Sequence, residues 1–188
     1  MTDTSNSTPA TSAHTAAETA FKFKGDFRAW NAMSSHMRGF HNYFKYEFDN
    51  VYKQADGGFK EEGHSLPQFL REAGSLSQSL INHHALEENY IFPALAKKMP
   101  EQFGPHGLEK EQHKHIHDGL ESYEGYIHYA RSHPEQYDGK KLRAIMDKFR
   151  DVLYAHLDDE VRDLGAEALQ KAGFTLDELR RVPLWPRF

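Results

Sequence analysis

The chain has 188 residues, enough for one domain with a core of roughly 120 to 150 residues plus tails. Its 27% charged and 38% hydrophobic residues are ordinary for a soluble globular protein, and a formal net charge of -5 argues against a nucleic-acid partner. There are no cysteines, which excludes disulfides, iron–sulfur ligation and thiol catalysis; no apolar run approaches the ~18 residues of a membrane helix, and the first residues lack the basic start and apolar block of a secretory signal, so a cytoplasmic location is expected.

Residues 1–24 are rich in Ser, Thr and Ala and read as a flexible N-terminal arm. From Asp26 to Ala55, Phe27, Trp30, Met33, Met37, Phe40, Phe44 and Phe48 recur every three or four residues, which predicts a first helix, weakened slightly by Gly39. The stretch from Asp56 to Pro67 is turn material, and Ser65 can cap a second helix over about Leu66 to Lys98, with Pro93 expected to kink it or end it early. A third helix is expected over about Leu108 to His133 and a fourth over about Lys141 to Leu164, stopped by Gly165. TLDE from Thr175 offers a capping box for a short helix, and the apolar VPLWPRF end is expected to lie across the bundle as a strap. The fold class is therefore all-α, an up-down-up-down four-helix bundle over residues 25–165 with a C-terminal extension over 166–188.

Each predicted helix carries a histidine on or beside its apolar stripe, and three add a second ligand-type residue one turn away. A residue and its i+4 neighbour share a helix face. In the first helix His41 lies among Phe40, Phe44 and Phe48. In the second, His83 aligns with Leu80, Ile91 and Leu95, with Glu87 one turn on; His84 and Glu88 point about 100° away and are expected to flank the site. In the third, His113 and His117 form an i, i+4 pair on the face of Leu120. In the fourth, His156 follows Leu153 and Phe149, with Glu160 one turn later. Any one of these pairs is as well explained by a solvated helix face. Four together converge five imidazoles and two carboxylates, too many for one ion, and the mixture suits iron, manganese or zinc. The Glu-x-x-His repeat of ferritin-like sites is absent, its one match running from Glu61 to His64 in a Gly-rich loop.

In MRGFHNYFKYEFDNVY, INHHALEENYIFPAL, EQHKHIHDGLESYEGY and AHLDDEVRDL the sequence resembles the hemerythrin-like (HHE cation-binding) family over about residues 27 to 165. The resemblance implies a left-handed four-helix bundle around two non-heme iron ions joined by an oxo or hydroxo bridge. By position, His113, His117 and His156 would hold one iron and His41 and His83 the other, with Glu87 and Glu160 bridging them. It also implies dioxygen or another small molecule as partner, in binding, storage or sensing; the alternative is a diiron oxidase, oxygenase or peroxidase acting on a small organic substrate, which needs a cavity larger than dioxygen requires. One departure stands out. Oxygen carriers of the family place an aspartate five residues after the last histidine, whereas Glu160 follows His156 by four.

Overall fold

The computed structural model describes residues 25–183; the expected arm over 1–24, and the strap from residue 184 onward, lie outside the described residues. All regular elements among the described residues are helical. In chain order they are α1 (Phe27–Trp30), α2 (Ala32–Ala55), α3 (Gly58–Glu61), α4 (Leu66–Leu86), a π-helical turn (Glu87–Ile91), α5 (Phe92–Leu95), α6 (Pro100–Phe103), α7 (Leu108–Ser132), a 3-10 turn (Pro134–Gln136), α8 (Gly139–Asp163), α9 (Ala166–Lys171) and α10 (Leu176–Leu179).

Local chemistry sets the boundaries. Ser65 Oγ accepts from Gln68 N and starts α4 with Pro67 in its first turn; Asp138 accepts from Lys140 N and Lys141 N and starts α8. The capping box at Thr175 is formed, with Glu178 N donating to Thr175 Oγ1 at 3.2 Å and Thr175 N to Glu178 Oε2 at 2.8 Å. The single first helix expected from Asp26 is instead broken at Asn31. Its side chain donates to Phe27 O at 3.0 Å and accepts from Ala166 N at 3.0 Å, so it competes with the helical ladder and ties the break to the start of α9. The disturbance expected from Pro93 takes the form of the π-helical turn. Proline has no N–H to give and its ring crowds the carbonyl four residues back; a widened turn ahead of it lets the chain continue into α5.

α2, α4, α7 and α8 form an antiparallel four-helix ring. Late α2 meets early α8, where Arg143 Nε donates to Tyr52 O at 2.8 Å, and Lys45 pairs with Asp158 nearer the other end. Early α4 meets late α7 through Arg131 and Leu70 O at 2.7 Å, and Ser77 Oγ donates to Glu124 midway. α7 and α8 pack closely at Gly119, where an added Cβ would stand 2.5 Å from Phe149; the missing side chain is what admits the ring, and a methyl there would cost about 1–3 kcal/mol in displaced packing.

The apolar interior is divided. One cluster fills the half of the bundle toward Phe59, Phe69 and Leu142 and reaches Phe44, Leu80, Ile116 and Leu153. The other joins Trp30, Met33 and Met37 to Ile91, Phe92, Phe103 and Leu164, and is closed by Leu169, Phe174, Leu179 and Val182 from α9, α10 and the residues after them. Between the two lies a polar layer: His41, His84, Glu87, Glu109, His113, His156 and Glu160 are all buried. Burying that many ionisable groups is strongly unfavourable unless something pairs them.

Candidate metal centre

The polar layer resolves into two groups. Ligand atoms of His84, Glu87, His113 and His156 all lie within 4.8 Å of one another, and so do those of His41, His83, Glu87 and Glu160; Glu87 belongs to both. Of the residues singled out from the sequence, His41, His83, Glu87, His113, His156 and Glu160 are thus brought together. His117 stands to one side, half-buried, with its Nε2 3.4 Å from His84 Nδ1. His84, expected on the flank, is fully buried and stacks on His113 with ring centroids 3.9 Å apart. The reason is the rotation of α4. The line toward the bundle axis falls between His83 and His84, so His83 leans toward α2, with Phe44 4.9 Å away, and His84 leans toward α7. The π-helical turn likewise makes neighbouring carboxylates useful. Glu87 reaches the centre while Glu88 stays behind His113.

Three imidazoles are held from the rear. His41 Nδ1 donates to Leu157 O at 2.7 Å, His113 Nδ1 to Glu88 Oε1 at 2.8 Å, and His156 Nδ1 lies 2.9 Å from Glu109 Oε2. Neutral imidazole carries one N–H, so the first two bonds leave lone pairs on His41 Nε2 and His113 Nε2. Those lone pairs face carboxylate oxygens and the Nε2 atoms of neighbouring imidazoles. His41 Nε2 is 3.3 Å from Glu160 Oε2 and 3.0 Å from His83 Nε2; His113 Nε2 is 3.5 Å from Glu87 Oε2 and 3.2 Å from His156 Nε2. His83 Nε2 comes within 2.9 Å of Glu87 Oε1, yet neither oxygen of Glu87 or of Glu160 receives an aligned hydrogen bond, and His84 Nε2 has none either. Acceptor facing acceptor is repulsive, and buried carboxylate oxygens without donors are rare. A cation among them reverses the sign of each contact. The residues therefore fit a metal in each group, with the rear partners fixing tautomer and ring orientation as supporting residues do at metal sites.

The charge states agree. Burial, then the positive charge His41 and His113 would carry, lowers His83 to about 3; burial also holds His84 and His156 far below the usual histidine range. These shifts favour neutral His83, His84 and His156, the form that binds metal. Burial, then Glu160's charge, pushes Glu87 well above the carboxylate range. For Glu160, burial acts upward, but His41 and His156 outweigh it and leave the group below its ordinary value. Burial and then Glu160 push Glu109 up to about 9.

These shifts make the metal-free fold sensitive to pH from both sides. Below about 6.5 the unfolded chain takes up protons on histidines that the fold keeps neutral, so stability is lost as pH falls from 6.5 toward 3. Above 4.5 the unfolded chain releases protons that Glu109 and Glu87 retain when folded, so stability is also lost as pH rises from there toward about 9. His83, His84 and His156 outnumber these two carboxyls between the limits, and the optimum is expected near pH 6.5. Urea midpoints of the chelator-treated protein from about pH 4 to about pH 9 should pass through that maximum; a midpoint climbing steadily to pH 9 contradicts the assignment.

A cavity of about 820 Å³ opens beside the second group, between α2 and α4, with Met37, Phe40, Phe44, Leu86, His83 and Glu87 among its walls. α9 and α10 close the second apolar cluster, and α2 and α4 build the cavity.

The fold and this layer are those of a cation-binding helical bundle. The Hemerythrin HHE cation binding domain matches residues 32–168, and the chain belongs to that family. It is 30% identical over 123 residues to the Dimeric xanthone biosynthesis cluster protein R11 of Cryptosporiopsis sp. (strain 8999), an alignment covering 64% of this chain and 44% of that protein. The chain thus spans less than half the length of this relative. No solved structure matches.

Proposed function

We propose that this protein is a non-heme diiron protein that binds or reacts with dioxygen. The observation that carries the reading is the pair of His/Glu groups sharing Glu87, in which buried acceptor atoms face one another without donors. His84, His113 and His156 would hold one iron, His41, His83 and Glu160 the other, and Glu87 both. Imidazole and carboxylate ligands in these proportions suit iron and manganese as well as zinc, and the family favours iron. When bound, ferrous iron supplies the electrons for dioxygen reduction. The chain does the rest. Glu88, Glu109 and Leu157 O hold the imidazoles in orientation, Phe44 and Ile91 keep water away on the cavity side, and the neutral histidines limit the local proton supply.

A second reading, an oxidase, oxygenase or peroxidase acting on a small organic molecule, is favoured by the cavity. Dioxygen needs a small fraction of 820 Å³, and sites for organic ligands span roughly 300–1,000 Å³. The relative named for dimeric xanthone biosynthesis points the same way. Membrane spanning is not part of either reading, as no helix among the described residues is long and apolar enough to cross a membrane.

Anaerobic addition of ferrous iron followed by oxygen should produce near-ultraviolet and visible bands of a ferric, bridged centre. An iron-loaded sample that stays colourless after oxygenation overturns the dioxygen reading.

A further inference from the structure

The cavity between α2 and α4 has the chemistry of a specific kind of guest. Its apolar walls are mostly aromatic or sulfur-bearing: Met33, Met37, Phe40, Tyr43 and Phe44, with Leu86 opposite. Aromatic edges and thioethers attract the face of a flat π-system better than they attract a saturated ring. Phe40, Tyr43 and Leu86 are exposed around the mouth, a concentration of apolar surface that a monomeric protein seldom leaves uncovered. The polar groups are few: His36 on α2, Ser79 and Asn82 on α4, and, at the inner end, His83 and Glu87 of the second metal group. Gly39 lies in the middle of α2, where glycine costs about 1 kcal/mol relative to alanine, and an added Cβ there would meet nothing within 4 Å. Helix packing does not require it. Its effect is to leave the wall of the cavity open.

We propose that this cavity binds a planar aromatic molecule of about two or three fused rings carrying a hydroxyl or carbonyl, with the polar edge turned toward His83 and Glu87. Gly39 is the specificity-determining position. The proposal rests on the reading of the neighbouring site as a diiron oxidoreductase, and assigns its substrate class.

The test is calorimetric titration of the full chain with 2-naphthol, alongside its saturated counterpart decahydro-2-naphthol, with iron content measured on the same sample. One molecule of 2-naphthol should bind per chain, at least tenfold more tightly than the saturated alcohol. Gly39→Leu should weaken 2-naphthol at least tenfold while leaving iron content unchanged and the melting temperature no lower, since the new side chain enters empty space and leucine is the better helix former. Equal affinity for the two alcohols, or binding unaffected by Gly39→Leu, overturns the proposal. So does a cavity that takes 2-naphthol only after residues 1–24 are removed, or only when a dimer is diluted apart, because the chain itself or a second copy is then the occupant. Binding without iron supports the cavity assignment and counts against the diiron reading; iron without binding does the reverse.

Discussion

Glu87→Gln is expected to abolish tight metal binding at both positions at once. Glu87 is the residue common to the two groups, and its side chain is buried with neither oxygen holding an aligned hydrogen bond. The amide keeps size and shape but removes the charge and turns one oxygen into a donor aimed at the cations. Iron per chain should fall from about two to near zero, because each ion loses a ligand and the link to its neighbour. The stability effect should have opposite signs with and without metal. In the metal-free chain, burial and Glu160's charge push Glu87 well above the carboxylate range, toward the neutral form that glutamine resembles, so the chelated variant should be as stable as the chelated parent, or more so. In the presence of iron, the parent should gain melting temperature and the variant should not. Thermal melts of both proteins, with chelator and with ferrous iron, read this directly. A variant that still holds two irons contradicts the assignment of Glu87.

The second large effect separates two neighbouring histidines. His84→Ala should lose the metal of one group and keep that of the other, and should lower the stability of the metal-free chain by about 2–4 kcal/mol, since the ring is fully buried and stacked on His113. His117→Ala should keep both metals. Its Nε2 approaches His84 Nδ1 at 3.4 Å from a half-buried position, the geometry of a supporting residue, whose loss weakens affinity by about 10–100-fold. Iron content and the dissociation constant of each variant distinguish the roles; His84→Gln, which keeps bulk, guards against simple unfolding. Retention of both irons by His84→Ala with loss of one by His117→Ala would restore the assignment that the family resemblance implies.

Much of the fold could be read from the chain because apolar periodicity, caps and helix stops agree: Ser65, the Thr175 capping box and the stripes through Phe44, Leu80, Ile116 and Leu153 all fall where expected. What escaped depends on tertiary context. The break at Asn31 needs Ala166 N, 135 residues away, as a partner, and no local pattern announces it. The π-helical turn shows in the sequence only as Pro93, which signals a disturbance without its form. At the site, the spacing of His83 and Glu87, of His113, and of His156 and Glu160 was legible, because i, i+4 periodicity is local. That His84, rather than His117, lies within 4.8 Å of Glu87, His113 and His156 was not. It turns on the rotation of α4 by a fraction of the 100° that separates consecutive residues, and that rotation is fixed by packing against α2 and α7. Glu109 was hidden and Glu88 was expected only on the flank, since nothing in EKEQHKH or LEENY says which carboxylate stands behind which imidazole; the structure pairs Glu109 with His156 across 47 residues and Glu88 with His113 across 25.

The claim beneath all of this is that one bundle interior holds two metal ions joined by a single glutamate. An anaerobic titration of the metal-free protein with ferrous iron, followed by Mössbauer spectroscopy after oxidation, tests it most directly. The predicted result is an endpoint at two irons per chain and a diamagnetic, antiferromagnetically coupled ferric pair. An endpoint at one iron, or two magnetically isolated ferric ions, would contradict it.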